Sequence, residues 1–238
     1  MRGDIVTLFP QMFSATLDES IVARARKRGY FQICCHQLRD YSLDNHGKVD
    51  DTIFGGGKGM LLTPEPIAKC FEAIDEHLGV RPYRIFMSPR GRVITQDKLV
   101  QLSKIKNLVI LCGHYEGVDQ RLIENYIDEE LSIGDYVLTG GEMPAMILVD
   151  GISRMLDGVL SDSSCFENES HYDGLLEYPQ YTRPENWRGN IVPPVLLSGH
   201  HKNIRKWQKK ESLQVTRVRR PDIFSRLALS EEDKKLLY

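Results

Sequence analysis

Five consecutive apolar residues, Leu108 to Cys112, closed by Gly113, constrain this chain more than any other feature. A strand that is apolar at every position has to be covered on both faces, as happens inside a parallel sheet flanked by helices. The neighbouring patterns agree. Asp4 to Phe9 reads as a short strand closed by Pro10, and Phe31 to Leu38 as a second. Between them Ser14 is placed to cap a helix that runs to about Arg28, with Gly29 as its stop. Pro64 to Leu78 carries Ile67, Phe71, Ile74 and Leu78 at helical spacing. Arg84 to Met87 is a strand ending in a Ser88-Pro89-Arg90-Gly91 turn, and Gln96 to Ser103 is a helix. Val118 to Glu124 begins another helix, Glu130 to Ile133 is a weaker strand, and Pro144 to Met155 is a helix. This alternation predicts an α/β domain with a parallel sheet.

The 238 residues suffice for such a domain over 1–160 and a smaller one after it. Residues 161–174 begin with a serine-rich, acidic stretch and read as a flexible linker or lid; 175–238 read as a small helical domain. The net charge is −2, but its distribution is uneven. Between Asp119 and Asp150 acids dominate, with Arg121 as the one basic residue; between Lys202 and Arg220 bases dominate, with Glu211 as the one acid. The basic segment includes Lys202, Arg205, Lys209 and Lys210 with Trp207 among them, and suits a polyanion. No apolar run approaches the roughly 18 residues of a membrane helix. The amino terminus leads directly into a strand with no secretory pattern. The five cysteines are odd in number and form no C-x-x-C pair, so reduced thiols of a cytoplasmic protein are expected rather than disulfides or a zinc site.

Three glycine-bearing turns each follow an apolar strand: Ser88 to Gly91, Gly113 to Gly117, and Ser132 to Gly141. In an open parallel sheet, ligands bind beyond the carboxyl ends of strands, where bare backbone can read an adenine edge or a ribose. Three such turns, with Tyr115 and Tyr136 among them, point to an adenosine-like ligand. Phosphate cradles are missing. Gly55 to Met60 looks superficially like a P-loop, but its lysine is followed by Gly59 rather than Ser or Thr, and no apolar strand feeds it.

Taken together, these segments resemble the bacterial tRNA (guanine-N1)-methyltransferases of the knotted SPOUT class. The resemblance runs nearly end to end. It includes Leu8-Phe9-Pro10, Val49-Asp50-Asp51, the Gly55 to Met60 loop, Ser88-Pro89, Gly113-x-Tyr115-Glu116-Gly117-x-Asp119, Ser132 to Gly141, Asp173 to Glu177, Tyr181 to Pro184, Val192 to Leu196 and Ser198-Gly199. It implies a deep trefoil knot in the C-terminal part of the α/β domain. It further implies S-adenosylmethionine held by Phe86, Met87, Ser88, Pro89, Gly113, Tyr115, Glu116, Gly117, Ile133, Gly134, Tyr136, Val137, Leu138, Gly140, Gly141 and Pro144. The implied protein is a cytoplasmic homodimer with its active site at the subunit interface. Its substrate is the guanine 3′ of the anticodon in tRNA, with no DNA or membrane partner, and a divalent ion, usually magnesium, supports activity.

Guanine N1 carries a proton, so methylation there needs a base at N1 and a positive partner for charge on O6. The resemblance assigns the base to Glu169, where the family usually has aspartate, with Asp173 as the alternative, and the cation to Arg154. It places Gly59 and Met60, and also Glu177, near tRNA or the metal. Arg90 and His114 depart from the family's pattern outside this chemistry. Rival readings are a SPOUT methyltransferase for another RNA or base atom, a non-catalytic RNA-binding protein, and a P-loop-like hydrolase.

Overall fold

The computed structural model describes residues 1–160 and 169–237. The chain divides into two compact units, Met1–Ser161 and Asp162–Tyr238.

The first unit is an α/β layer structure on a five-stranded parallel sheet. Its strands are β1 (Arg2–Thr7), β2 (Gln32–Gln37), β5 (Tyr83–Val93), β6 (Asn107–Cys112) and β7 (Glu129–Ser132), in the order β2-β1-β6-β5-β7. The central strand β6 explains the apolar run. Leu108, Ile110 and Cys112 face one core with α1 (Gln11–Leu17), α2 (Ser20–Lys27), α4 (Gln96–Ser103) and α6 (Glu142–Arg154). Val109 and Leu111 face a second core with α3 (Pro64–Leu78) and α5 (Gln120–Tyr126). Side chains alternate along a strand, so both sets had to be apolar.

Helix limits follow local chemistry. Thr95 Oγ1 accepts the Lys98 N–H at 3.3 Å to start α4, and Asp119 Oδ1 accepts the Arg121 N–H at 2.9 Å to start α5. α3 tolerates Pro64 and Pro66 in its first turn and stops at Gly79 in the left-handed region, φ 66°.

Three expectations from the sequence are corrected. The span from Ser14 to Arg28 is two helices, α1 and α2, and Ser14 lies inside the first, where its Oγ donates to the Gln11 carbonyl at 2.9 Å instead of capping. The helix expected from Val118 begins at Gln120, since Asp119 is its cap. Ser88 to Gly91 does not end its strand: β5 runs on to Val93, and the four residues are an excursion in register, so that both Met87 and Arg92 pair with Leu131. Between β2 and α3 the chain also forms a small antiparallel pair, β3 (Asp50–Thr52) and β4 (Met60–Leu62), whose tip is the glycine-rich loop.

After β7 the chain crosses back over the end of β5 to reach β6. There the Gly141 N–H donates to the Gly113 carbonyl at 2.8 Å, and α6 begins. This approach requires glycine, because a Cβ on Gly141 would sit 2.8 Å from Cys112 Cα. α6 then runs against the strand direction, and its far turns, Val149 to Ser153, pack beside Met1, Gly3, Phe31 and Leu108 at the amino ends of the strands.

In the second unit a short hairpin, β8 (Asn186–Trp187) with β9 (Asn190–Ile191), precedes α7 (Pro194–Leu197), α8 (His201–Arg219), α9 (Pro221–Phe224) and α10 (Glu231–Leu237). α8 buries Ser212, Leu213 and Thr216, and Thr216 Oγ1 accepts the Leu176 N–H at 2.9 Å. Of the expected lid, 161–168 lie outside the described residues. From Glu169 onward the segment is hydrogen-bonded: His171 N–H to the Leu175 carbonyl at 2.8 Å and Glu177 N–H to Ser170 Oγ at 2.9 Å.

Candidate functional site

The excursion within β5 and the carboxyl ends of β6 and β7 enclose a cleft of about 200 Å³. Its walls are the three turns singled out in the sequence. The β5 excursion contributes Phe86 to Pro89, the β6 turn Gly113 to Gly117, and the crossing segment Ile133, Tyr136, Val137, Leu138, Gly140, Gly141 and Pro144. Gly134 alone among the expected cofactor residues is not on the wall. At φ 147° it lies beneath Tyr136, where a Cβ would meet the ring at 2.7 Å, so it seats that ring.

Hydrogen bonds fix the rim. His114 pairs with Gly140 across an isolated bridge, and its Nδ1 accepts the Tyr115 N–H at 3.0 Å. Ser132 Oγ accepts the Gly134 N–H at 3.1 Å and donates to the Gly134 carbonyl at 3.0 Å. His114, Leu131, Ser132 and Thr139 also line the cleft and were not expected there. Ser132 and Thr139 belong to the contiguous Ser132 to Gly141 segment, so contiguity could have found them; Leu131 is visible only from the sheet register.

Among the described residues Glu116 is the one formally charged side chain on the wall, and no lysine or arginine lines it. The cleft therefore does not suit phosphate, and suits a ligand with apolar, hydrogen-bonding and cationic parts. The glycine-rich loop joins the same rim. The Glu116 N–H donates to the Met60 carbonyl at 3.0 Å, and a Cβ on Gly59, φ 106°, would meet Glu116 Cγ at 2.6 Å. Gly59 and Met60 are thus held against Glu116. Glu142, which no sequence signal marked, is buried at the start of α6 with its Oε1 accepting Thr7 Oγ1–H at 2.8 Å.

Of the other expected residues, Arg154 belongs to the same unit as the cleft and the rest to the second unit. Arg154 ends α6, at the amino ends of the strands; a 13-residue helix spans about 20 Å. Glu169 and Asp173 belong to the second unit. The Glu169 carbonyl accepts the Tyr172 N–H at 3.4 Å, and Asp173 Oδ1 accepts the Leu175 N–H at 3.1 Å. On α8, Lys202, Arg205 and Lys210 are exposed, whereas Lys209 approaches Asp233 at 3.9 Å. Trp207 is flanked by Tyr178 and Tyr181, with ring centroids 6.5 and 6.4 Å away, so it packs inside its unit. Among the described residues no group of three or more His, Cys, Asp or Glu could hold a metal ion, and four cysteines are free. No helix among them is long and apolar enough to cross a membrane.

An open parallel sheet with a glycine-built cleft at its strand ends, lined by no lysine or arginine among the described residues, defines an α/β protein for a nucleoside-like ligand. The chain belongs to the tRNA (guanine-1)-methyltransferase family, TrmD, whose model matches residues 1–226. It is similar to the tRNA (guanine-N(1)-)-methyltransferase of Ruminiclostridium cellulolyticum, 54% identical over 227 residues that cover 95% of this chain and 97% of the relative. Proteins of the same name from Clostridium novyi and Clostridium perfringens are 52% and 51% identical over 237 residues, covering all of this chain and 97% and 99% of theirs.

Proposed function

We propose that this chain methylates N1 of guanine in tRNA, at the base 3′ of the anticodon, using S-adenosylmethionine held in the cleft. The observation that carries the reading is the cleft itself: the excursion within β5 and the turns after β6 and β7, a backbone-lined floor at Gly113, Gly140 and Gly141, and Glu116 as the only formally charged side chain on the wall among the described residues. That donor set fits the cofactor, with backbone groups for its adenosine and carboxylate charge for its cationic end. Bound there, S-adenosylmethionine supplies an activated methyl group on sulfur. Glu169 takes the N1 proton, and Arg154 donates to O6 as charge builds there. Glu116, with Gly59 and Met60 against it, orients the base or the cofactor's amino group.

The working unit is a homodimer. Arg154 and the cleft of the same chain lie at opposite ends of α6, so one chain alone does not supply both. Met143 and Ile147 are exposed on successive turns of α6, and Phe9, Met12 and Leu138 are exposed beside its start. Antiparallel pairing of this face with a second copy buries it and brings each Arg154 to the partner's cleft. The crossing segment 133–141, returning over its own strand ends, supports the trefoil knot. Magnesium meets the substrate's phosphates with one or two carboxylates and water, which requires no preformed cage. The reaction takes place in the cytoplasm.

The test is transfer of labelled methyl from S-adenosylmethionine to tRNA transcripts, with and without guanine before the target, followed by mapping of the modified position. Modification at another base atom, or of another RNA only, overturns the reading.

A further inference from the structure

At the amino ends of the strands, opposite the cleft, the first unit carries a second groove, of about 270 Å³, walled by Arg24, Arg28, Tyr30 and residues 158–160. Arg24 and Arg28 stand one helical turn apart, so their side chains share a face of α2. Gly158, at φ 82°, lets the chain lie on Tyr30, where an added Cβ would meet the ring at 2.6 Å; the ring remains 36% exposed. Backbone bonds gather more cations here. The Met1 amino group donates to the Tyr30 carbonyl at 3.3 Å, and the Arg2 N–H donates to the Lys106 carbonyl at 2.8 Å. Arg24, Lys27, Arg28, Lys104 and Lys106 are all exposed. None of the five has a carboxylate partner among the described residues, whereas Arg26, on the other side of α2, is paired with Asp18 at 2.5 Å. The acid next to the groove in sequence, Asp157, pairs with none of them.

Like charges one turn apart repel, so leaving them unpaired around a groove favours an external anion. The groove lies at the Arg154 end of α6, the end that the proposed dimer brings to the partner's cleft. The polyanion that reaches this place is the substrate itself. We propose that this groove binds the phosphodiester backbone of the substrate RNA, with Arg24 and Arg28 on phosphates, Tyr30 against a sugar or base, and Lys104 and Lys106 extending the track. The inference rests on the tRNA reading above. It adds to the basic α8 helix a contact surface in the α/β unit, which joins the basic run at the end of α2 to Lys104 and Lys106 from a distant segment.

The full-length protein with substitutions Arg24→Gln and Arg28→Gln tests it. We expect the KM for tRNA to rise about tenfold near physiological salt, with the KM for S-adenosylmethionine unmoved. The slope of log(kcat/KM) against log[salt] should shrink by about one per lost phosphate contact. Arg24→Lys with Arg28→Lys should restore most of the slope, because lysine keeps the charge. Lys104→Gln with Lys106→Gln should give a smaller shift of the same kind. An unchanged tRNA KM and salt slope in the double glutamine variant overturns the inference. A wild-type protein that methylates no tRNA overturns instead the function on which it rests.

Discussion

Thr7 Oγ1 donates a 2.8 Å hydrogen bond to Glu142 Oε1 across 135 residues of sequence, tying the end of β1 to the first turn of α6. Thr7 Oγ1 also accepts the Phe9 N–H at 2.9 Å, so one hydroxyl bonds both the chain that follows β1 and the start of α6. Both side chains are buried. Thr7→Val leaves the Glu142 carboxylate without this donor and should cost about 1–3 kcal/mol in urea or thermal unfolding. It should also weaken cofactor binding measured by calorimetry, because Gly141 leads directly into this turn. Unfolding and binding both unchanged would show that the bond positions nothing.

A second buried carboxylate predicts acid behaviour. Asp4 is fully buried and is met by Arg2 at 2.9 Å and His36 at 2.8 Å. Burial pushes its pKa up, but the hydrogen bonds from His36 and Arg2 and the Arg2 charge outweigh burial and hold it below 3.8. A depressed carboxyl stabilises the fold above its unfolded value, and that contribution disappears as pH falls through the folded value. Stability of the wild type should therefore drop below about pH 4, and Asp4→Asn should flatten that acid limb while costing about 2–3 kcal/mol at pH 7. Urea melts from pH 7 to pH 3 provide the comparison; an equally steep acid limb in Asp4→Asn contradicts the assignment.

The distance along α6 makes the subunit arrangement testable. Arg154→Ala should lower turnover by about 10² or more with cofactor affinity little changed. Gly113→Val should block the cleft, because its added Cβ meets the Phe86 ring at 2.8 Å. Each variant alone should be nearly inactive. Mixed after dissociation and reassociation, they should recover activity, since one heterodimer site joins an intact cleft to an intact Arg154. Recovery is impossible if both groups act within one chain.

The choice of base can be settled by two amide substitutions. Asp173 already accepts the Leu175 N–H, a turn bond that asparagine can keep. Glu169→Gln should abolish the pH dependence of single-turnover methylation and slow it by about 10² or more, while Asp173→Asn should have little effect. The reverse pattern would transfer the role to Asp173.

Chelation offers the last test. Removal of divalent ions should reduce activity, and magnesium should restore it, with cofactor affinity unaffected if the ion sits with the substrate's phosphates. Full activity in chelator would remove the ion from the mechanism.

Patterns set by neighbours in the chain were legible in the sequence. Leu108 to Cys112 announced a strand covered on both faces, and α3 and α4 have the limits that prolines, glycine and spacing imply. Ser88 to Gly91 misled because proline and glycine signal a turn, while the pairing of β7 with both halves of β5 keeps the strand going. Ser14 misled because a hydroxyl inside a helix can satisfy itself on a carbonyl three residues back.

The sequence by itself determined the alternation of strands and helices, the apolar centre of the sheet and the glycine turns that follow β6 and β7, because these depend on residues a few positions apart. Tertiary structure decided which strands are neighbours, that Glu142 is buried against Thr7, that Arg154 ends far from its own cleft, and that Arg24 and Lys106 share a surface. Each of these depends on backbone pairing between distant segments, and local periodicity contains no record of which strand will lie beside which.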